Sequence, residues 1–374
     1  MNPAAVRSAA ARIAGRVHRT PVLTSATLDD RTGARVLVKD EAVQKTGSFK
    51  ARGALNRLLT LPEEARERGL VAVTAGNHGA AVAWAAAQAG AKATVVMPTY
   101  SPAAKVAACW SYGAEVVLHG DTTTEAFAEC ERLQHERGLT FIHPFDDPEI
   151  VAGQGTVGLE LTEDAGPVDV WVVSVGGGGL CSGTALAVRD ANPACRVVAV
   201  EPEGAAALSA AMAAGKPVPI VARSVADGLC APFAGPLTFP LLRELVDEVV
   251  LLTEAELLAG VRFVMERMKV VVEPAGAATI AALLAGKAGD LHGRRVGEVD
   301  HLDAQRRGQP VVPAPADQQP AGQQHGQAEG GVEHVGGAAP DQFDRQPRLV
   351  QQRDLAQRRQ RLSMMTVAPK LSGA

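Results

Sequence analysis

Several features that would mark a specialised class of protein are scarce in this sequence. Aromatic residues make up only 3% of the 374 residues, and 37 lysines and arginines nearly balance 41 aspartates and glutamates. Without a basic surplus there is no electrostatic basis for binding nucleic acid, so nucleic acid is not expected as a partner. No stretch approaches the ~20 apolar residues of a membrane helix, so no membrane partner is expected either.

The five cysteines argue against a disulfide-bonded, secreted scaffold. They are odd in number and scattered without a Cys-x-x-Cys pair, which indicates reduced thiols that pack in the interior. The first 21 residues carry an arginine every few positions and no unbroken apolar segment, unlike a secretory signal. We therefore expect a cytoplasmic protein with a well-buried core, since 47% of the residues are hydrophobic.

Short apolar segments alternate with helical segments along most of the chain. The alternation runs through residues 70–143, where we predict a strand over 93–97 and a helix over 123–137 among others. It resumes over 170–268 and ends with a helix predicted over 254–268. Such a pattern is typical of parallel βαβ units. We predict an α/β fold with two lobes, each a parallel-rich sheet flanked by helices, and a cleft between them. Residues 1–68 and 146–297 would form a large lobe and residues 69–145 a small one.

The composition changes abruptly after Gly297. Residues 298–374 contain 13 glutamines, against four in everything before, and the apolar periodicity disappears. Segments of this composition cannot bury enough apolar surface to offset the entropy of ordering, so we predict a largely disordered tail. The sharp onset is what a shifted reading frame would produce, and a natural low-complexity extension is the alternative.

Lys50 stands where a polar loop over 39–48 meets a helix predicted over 49–59. A lysine near a helix start is usually a solvated surface residue. A lysine that forms a Schiff base must instead react as a neutral amine, which requires burial or a neighbouring cation to lower its pKa. Whether Lys50 is a functional residue therefore depends on the other motifs in the sequence.

Four consecutive glycines, at positions 176–179, follow a predicted strand over 170–175 and open a helix from Leu180. Backbone N–H groups can crowd around one anion in such a turn, and the helix N-terminus adds positive partial charge. The pattern predicts a phosphate-binding turn. A merely flexible connection is one alternative. A dinucleotide-binding oxidoreductase, with Glu201 as its acidic residue, is another.

The turn over 74–79 follows the first strand of the predicted small lobe. Ligands of parallel sheets bind at the carboxyl ends of the strands, so this turn is a second candidate binding segment. Asn77 could bind a ring hydroxyl or a substrate carboxylate. The alternatives are that Asn77 caps a helix and that His78 is a structural histidine.

Seven sequence blocks resemble those of fold-type II pyridoxal-phosphate (PLP) enzymes, in the same order, and most resemble the threonine/serine dehydratase (ammonia-lyase) family. The resemblance extends over about residues 3–297. It implies a tryptophan synthase β-like architecture and PLP as the cofactor. The blocks lie at 45–50, 75–79, 143–148, 152–156, 176–179, 226–228 and 272–274.

The resemblance also implies a role for each matching residue. Lys50 would form the Schiff base with PLP, Phe49 would pack against its ring, Asn77 would bind its phenolic oxygen and Glu273 would lie near the pyridine edge. The phosphate would be held by Gly176, Gly177, Gly178, Gly179 and Leu180. The pocket for the substrate carboxylate would be lined by Ser48, Ala75, Gly76, Asn77, His78 and Gly79.

The implied reaction converts L-threonine to 2-oxobutanoate and ammonia, or L-serine to pyruvate and ammonia, in a homodimer or homotetramer. Ala75 favours elimination over racemisation, because the related serine racemases carry at this position a serine that exchanges a proton and alanine has none to exchange. Glu201 matches a position that helps to bind a divalent cation. Another matching position is Ala207, which has no carboxylate, so we expect a metal site at Glu201 to be weak or absent.

One departure from the family concerns the last strand. Enzymes of this type carry a Ser-Gly-Gly-Asn segment there, and its serine or cysteine binds the pyridine nitrogen. This chain continues from Gly297 through Glu298 to Leu302 without a hydroxyl or thiol. An unpaired buried acceptor costs ~1–3 kcal/mol. The alternatives are therefore an active dehydratase and a relative that binds PLP without turnover, and we expect the loss of the core strand to lower stability.

Overall fold

The computed structural model describes residues 1–300, in which ten strands form two sheets. The strands are β1 (Val22–Leu23), β2 (Arg35–Asp40), β3 (Leu70–Val73), β4 (Ala93–Met97), β5 (Glu115–Leu118), β6 (Thr140–Phe141), β7 (Val170–Ser174), β8 (Arg196–Pro202), β9 (Glu248–Leu252) and β10 (Arg295–Asp300).

Thirteen α-helices are found among residues 1–300, together with several short helical turns. The helices are α1 (Pro3–Ile13), α2 (Ala26–Thr32), α3 (Lys50–Thr60), α4 (Glu63–Arg68), α5 (Asn77–Gln88), α6 (Ala103–Ser111), α7 (Thr123–Arg137), α8 (Pro148–Ala165), α9 (Gly179–Ala191), α10 (Ala207–Ala214), α11 (Thr238–Leu245), α12 (Glu254–Phe263) and α13 (Ala278–Leu284). None of them is long and apolar enough to span a bilayer.

The two sheets are almost entirely parallel. The larger has the order β1-β2-β10-β7-β8-β9 and the smaller the order β5-β4-β3-β6; only the β1–β2 pair is antiparallel. Parallel strands require crossover connections, and helices supply most of them. The predicted α/β class with parallel-rich sheets is therefore confirmed. The proposed lobe boundaries remain a prediction.

The central strands of the larger sheet are buried on both faces. All five residues of β7 are buried, from Val170 through Trp171 to Ser174. One face packs against α12 and α13, and the other against α8 and α9. A strand covered on both sides reads as a continuous apolar run, which is why β7 was recognisable in the sequence.

β10 corrects the expectation that the last core strand is lost. It forms between β2 and β7, with Val296 opposite Val36 and Val170, and it extends through Glu298 to Asp300. Residues 298–300 therefore belong to the sheet and not to the tail. The remainder of the predicted disordered tail, residues 301–374, lies outside the described residues.

Candidate active site

A cavity of 590 Å³ opens between the carboxyl ends of β3 and β7. Segments from both sheets contribute to its wall, as expected for parallel sheets that bind ligands where their strands end. Of the residues predicted from the sequence, those that line it are Phe49, Lys50, Ala75, Gly76, Asn77, His78, Gly176, Gly177, Gly178, Gly179 and Leu180. The structure thus brings the lysine, the glycine turn (176–179) and the 74–77 turn together.

Lys50 is the first residue of α3 and its side chain lies against this cavity. Its Nζ donates a hydrogen bond to the carbonyl oxygen of Pro144 at 2.8 Å and lies 5.3 Å from the centre of the Phe49 ring. Burial of the amine lowers its pKa from 10.5 to about 8. At pH 7 about a tenth of the amine is therefore in the neutral, nucleophilic form, and about half is neutral near pH 8.

The glycine turn is fixed by side chains that leave no room for a Cβ atom. A Cβ on Gly177 would lie 2.3 Å from the ring of Phe145, and Gly178 has a left-handed φ of 99°. Thr238 Oγ1 donates to the Gly177 carbonyl at 2.7 Å. The hydroxyl of Thr238 thus fixes that carbonyl, and α9 begins at Gly179. The turn and the helix N-terminus therefore form a preorganised anion site.

The 74–77 turn is anchored on the opposite wall. Thr74 Oγ1 accepts from the backbone N–H of Gly76 at 2.8 Å, and α5 begins at Asn77. Asn77 Nδ2 donates to Glu273 Oε1 at 2.8 Å. Glu273 is buried, and its carboxylate fixes the amide of Asn77 at the cavity wall.

His78 is held as a neutral imidazole. Its Nε2 lies 2.9 Å from the carbonyl oxygen of Ile142, which can only accept, so Nε2 carries the proton. Burial, together with the nearby charge of Lys50, lowers the pKa of His78 to about 3. The ring therefore contributes hydrogen bonding but no positive charge.

Two other predicted residues lie just behind the cavity wall. Ser48 is fully buried, and among residues 1–300 its hydroxyl has no hydrogen-bond partner. Gly79 packs α5 against the sheet, since a Cβ there would lie 2.8 Å from Val95. Their proposed contacts with a substrate carboxylate remain predictions.

Glu201 has a different structural role from the acidic residue of a dinucleotide site. Its two carboxylate oxygens accept the backbone N–H groups of Leu208 at 2.6 Å and Ser209 at 2.9 Å. Ser209 Oγ donates as well, at 2.7 Å. Glu201 therefore caps the first turn of α10, and both oxygens are engaged.

Sequence reasoning missed several residues that shape the cavity. The block over 143–148 matches the family, but its sequence does not reveal the roles of the Pro144 carbonyl and the Phe145 ring. Thr238, which holds the glycine turn, lies far along the chain with no motif around it. Lys105 and Asp227 form an ion pair at 2.8 Å beside the cavity, and no sequence pattern connects them.

The cavity residues fit a phosphate-bearing aldehyde such as PLP. The amine of Lys50 supplies a nucleophile of lowered pKa, and the glycine turn supplies backbone donors where a single added methyl group would collide with Phe145. Asn77, held by Glu273, adds a polar group to the cavity wall. A nucleophile, an anion site and a polar wall around 590 Å³ are the elements that this cofactor requires.

Comparisons with known proteins agree with this geometry. Residues 13–299 match the model of the pyridoxal-phosphate dependent enzyme family. The chain is 44% identical to the L-threonine ammonia-lyase of Thermotoga maritima over 72% of this chain and 67% of the relative. It is 45% identical to an L-threo-3-hydroxyaspartate ammonia-lyase of a Pseudomonas species, over 78% and 92%.

A solved structure shares the fold as well. Maize serine racemase superimposes with a TM-score of 0.78 at 38% identity, covering 81% of this chain and 93% of the racemase. The family model names the cofactor, and the cavity contains the lysine and the anion site that this cofactor needs. The chain therefore belongs to the family of pyridoxal-phosphate-dependent enzymes.

Proposed function

We propose that this protein is an ammonia-lyase that eliminates the β-hydroxyl group of L-threonine or L-serine and releases ammonia with 2-oxobutanoate or pyruvate. The observation that carries the proposal is the amine of Lys50, with a pKa of about 8, in a cavity that is also lined by an anion-binding turn. An amine of that pKa can both bind a carbonyl group and exchange a proton near neutral pH.

PLP, when bound, withdraws electrons from the α-carbon of an amino acid and so makes its α-proton acidic. The chain's own residues provide the rest. Lys50 accepts the α-proton, and the Pro144 carbonyl orients its amine. The backbone of the 74–77 turn faces the substrate carboxylate. His78 remains neutral and holds this wall through Ile142 without adding charge.

The relatives support an ammonia-lyase, and Ala75 supports elimination over racemisation. Two of the similar proteins are ammonia-lyases for different 3-hydroxy amino acids, and a third is a serine racemase. Ala75 lines the cavity but has no exchangeable proton. A racemase needs a second proton donor besides the lysine, and position 75 cannot supply it.

The proposal is tested with purified protein and PLP. We expect an absorption band of the bound cofactor that sodium borohydride removes and that Lys50→Ala abolishes. We also expect release of 2-oxobutanoate from L-threonine and no conversion of L-serine to its D-enantiomer. Rapid appearance of D-serine would instead identify a racemase.

A protein that binds PLP without turnover is the competing proposal. It is motivated by Glu298 and the residues that follow it, where the family carries its Ser-Gly-Gly-Asn segment. The bound-cofactor band together with no release of oxo acid from threonine, serine or 3-hydroxyaspartate would establish this alternative. The absence of any band would refute both.

A further inference from the structure

The ammonium group of Lys105 lies between two carboxylates beside the cavity. Its Nζ is 2.8 Å from Asp227 Oδ2 and 3.7 Å from Glu273 Oε2. The Lys105 side chain is only 6% exposed. A buried ammonium group is tolerated when it is paired in this way, so the arrangement indicates a specific role rather than a solvated surface charge.

This ion pair bridges the two sheets. Lys105 is in α6, which packs against the helix α5 and against β5, an edge strand of the smaller sheet. Asp227 and Glu273 lie close in sequence to Leu229 and Val272, and these two residues pack in the apolar core of the larger sheet. Lys105 is therefore a polar link between the two walls of the cavity.

The link continues to a predicted substrate contact. Glu273 binds Lys105 through Oε2 and accepts from Asn77 Nδ2 through Oε1 at 2.8 Å. In addition, a Cβ on Gly76 would lie 3.8 Å from Lys105 Nζ. The ammonium group therefore lies immediately behind the 74–77 turn and holds one of its residues through Glu273.

The charges explain why this position matters. A substrate carboxylate bound to the 74–77 turn would approach the negative charges of Asp227, which lines the cavity, and Glu273. Lys105 is the cation between those two carboxylates, so it offsets the repulsion of an anionic ligand. His78 cannot do this, because its pKa is lowered to about 3.

We propose that Lys105 is a positioning residue that sets the affinity for the amino-acid substrate, by fixing Asn77 through Glu273 and offsetting part of the negative charge of the cavity wall. This inference rests on the proposed function, in that it concerns the same substrate carboxylate. Lys105 need not contact the substrate, and the glycine turn, not Lys105, would hold the cofactor phosphate.

The experiment compares Lys105→Met and Lys105→Arg with the wild-type protein, all loaded with PLP. We expect Lys105→Met to raise KM by about 10-fold or more, with a smaller change in kcat, since charged hydrogen bonds of this type carry about this much affinity. The affinity for PLP should change by less than about 3-fold, because the glycine turn and the Schiff base with Lys50 would hold the cofactor in addition to the contact with Asn77. Lys105→Arg should restore most of the substrate affinity.

A second readout does not require turnover. L-alanine has no β-hydroxyl to lose, so its binding can be titrated through the absorption of the bound cofactor, and its Kd should rise in parallel with KM. Lys287→Met is the matched control, because it removes an ion pair of a lysine with Glu256 remote from the cavity. This control should leave KM and the L-alanine Kd unchanged.

Two results would overturn the inference. One is an unchanged KM and L-alanine Kd in Lys105→Met. The other is that Lys105→Met fails to fold stably, binds PLP weakly and has a raised KM, and that Lys105→Arg reverses none of these changes. That pattern would identify a purely structural residue. If the wild-type protein itself shows no bound-cofactor band, the proposed function fails instead, and the two failures are distinguished by that spectrum.

Discussion

Glu298 should make this protein less stable as the pH rises, opposite to the usual behaviour of a paired carboxylate. The residue is fully buried in the central strand β10. Its Oε2 is hydrogen-bonded by the hydroxyl of Thr279, while Oε1 has no partner among residues 1–300. Burial, with a smaller contribution from the carboxylate of Asp40 on β2, raises the pKa of Glu298 to about 8.

The sign and size of the effect follow from this pKa. Between pH 4.5, the ordinary value, and pH 8, the folded protein holds a proton that the unfolded chain has lost, so the free energy of unfolding falls as pH rises. At about 1.4 kcal/mol per pH unit over this window, the loss reaches up to about 5 kcal/mol. Below pH 4.5 both states are protonated and the cost disappears.

Glu298→Gln removes the titration but keeps the shape and the contact with Thr279. We expect its stability, measured by urea unfolding of the PLP-free protein, to match the wild type most closely near pH 5 and to exceed it increasingly up to pH 8.5. Glu248→Gln, at an exposed site on the edge strand β9, is the control and should leave the pH dependence unchanged. Parallel curves for Glu298→Gln and wild type would refute the reasoning.

Three further predictions concern the glycine turn, a buried ion pair and the thiols. Gly177→Ala, whose methyl group would collide with Phe145, should lower PLP affinity about 100-fold in an absorbance titration, and wild-type affinity would contradict this. Arg52→Met removes the ion-pair partner of the fully buried Glu41 and should cost about 3–5 kcal/mol in urea unfolding; a cost below 1 kcal/mol would contradict it. Of the five cysteines only the half-buried Cys230 should react quickly with Ellman's reagent in the native protein, because the other four are buried; rapid reaction of several thiols would contradict this.

Two kinds of element were predictable from the sequence. They are strands that are buried along their whole length and helices whose ends carry capping residues. The strand Ala93–Met97 and the helix Thr123–Arg137 have the predicted bounds, the latter because Thr122 and Glu125 form a capping box. By contrast, the helix predicted over 254–268 ends as an α-helix at Phe263 and continues as one π-helical turn. α8 (Pro148–Ala165) was not predicted, because buried residues lie on most of its surface and leave little amphipathic periodicity.

The candidate site was predictable in its motifs but not in its supports. Lys50 and the glycine turn stood out through local chemistry, and the resemblance to a family placed them in one cavity. The supporting contacts join residues far apart in the chain: Lys105 to Asp227, and Thr238 to Gly177. A threonine or an aspartate in isolation has no local signature, so only the folded geometry identifies these partners.

β10 connects the stability of the fold with the chemistry of the site. It runs parallel to β2 and β7, so its carboxyl end lies at the same edge of the sheet as the end of β7, where the glycine turn begins. A strand in this central position favours apolar side chains on both faces, and Val296 and Val299 satisfy that demand while Glu298 does not. Burial raises the pKa of Glu298, so its carboxyl group is largely protonated near neutral pH, and the hydroxyl of Thr279 donates a hydrogen bond to it. These two effects preserve the strand. We therefore expect Glu298 to act first on the free energy of unfolding, by making it depend on pH. The anion site and Lys50 belong to other segments and keep their geometry.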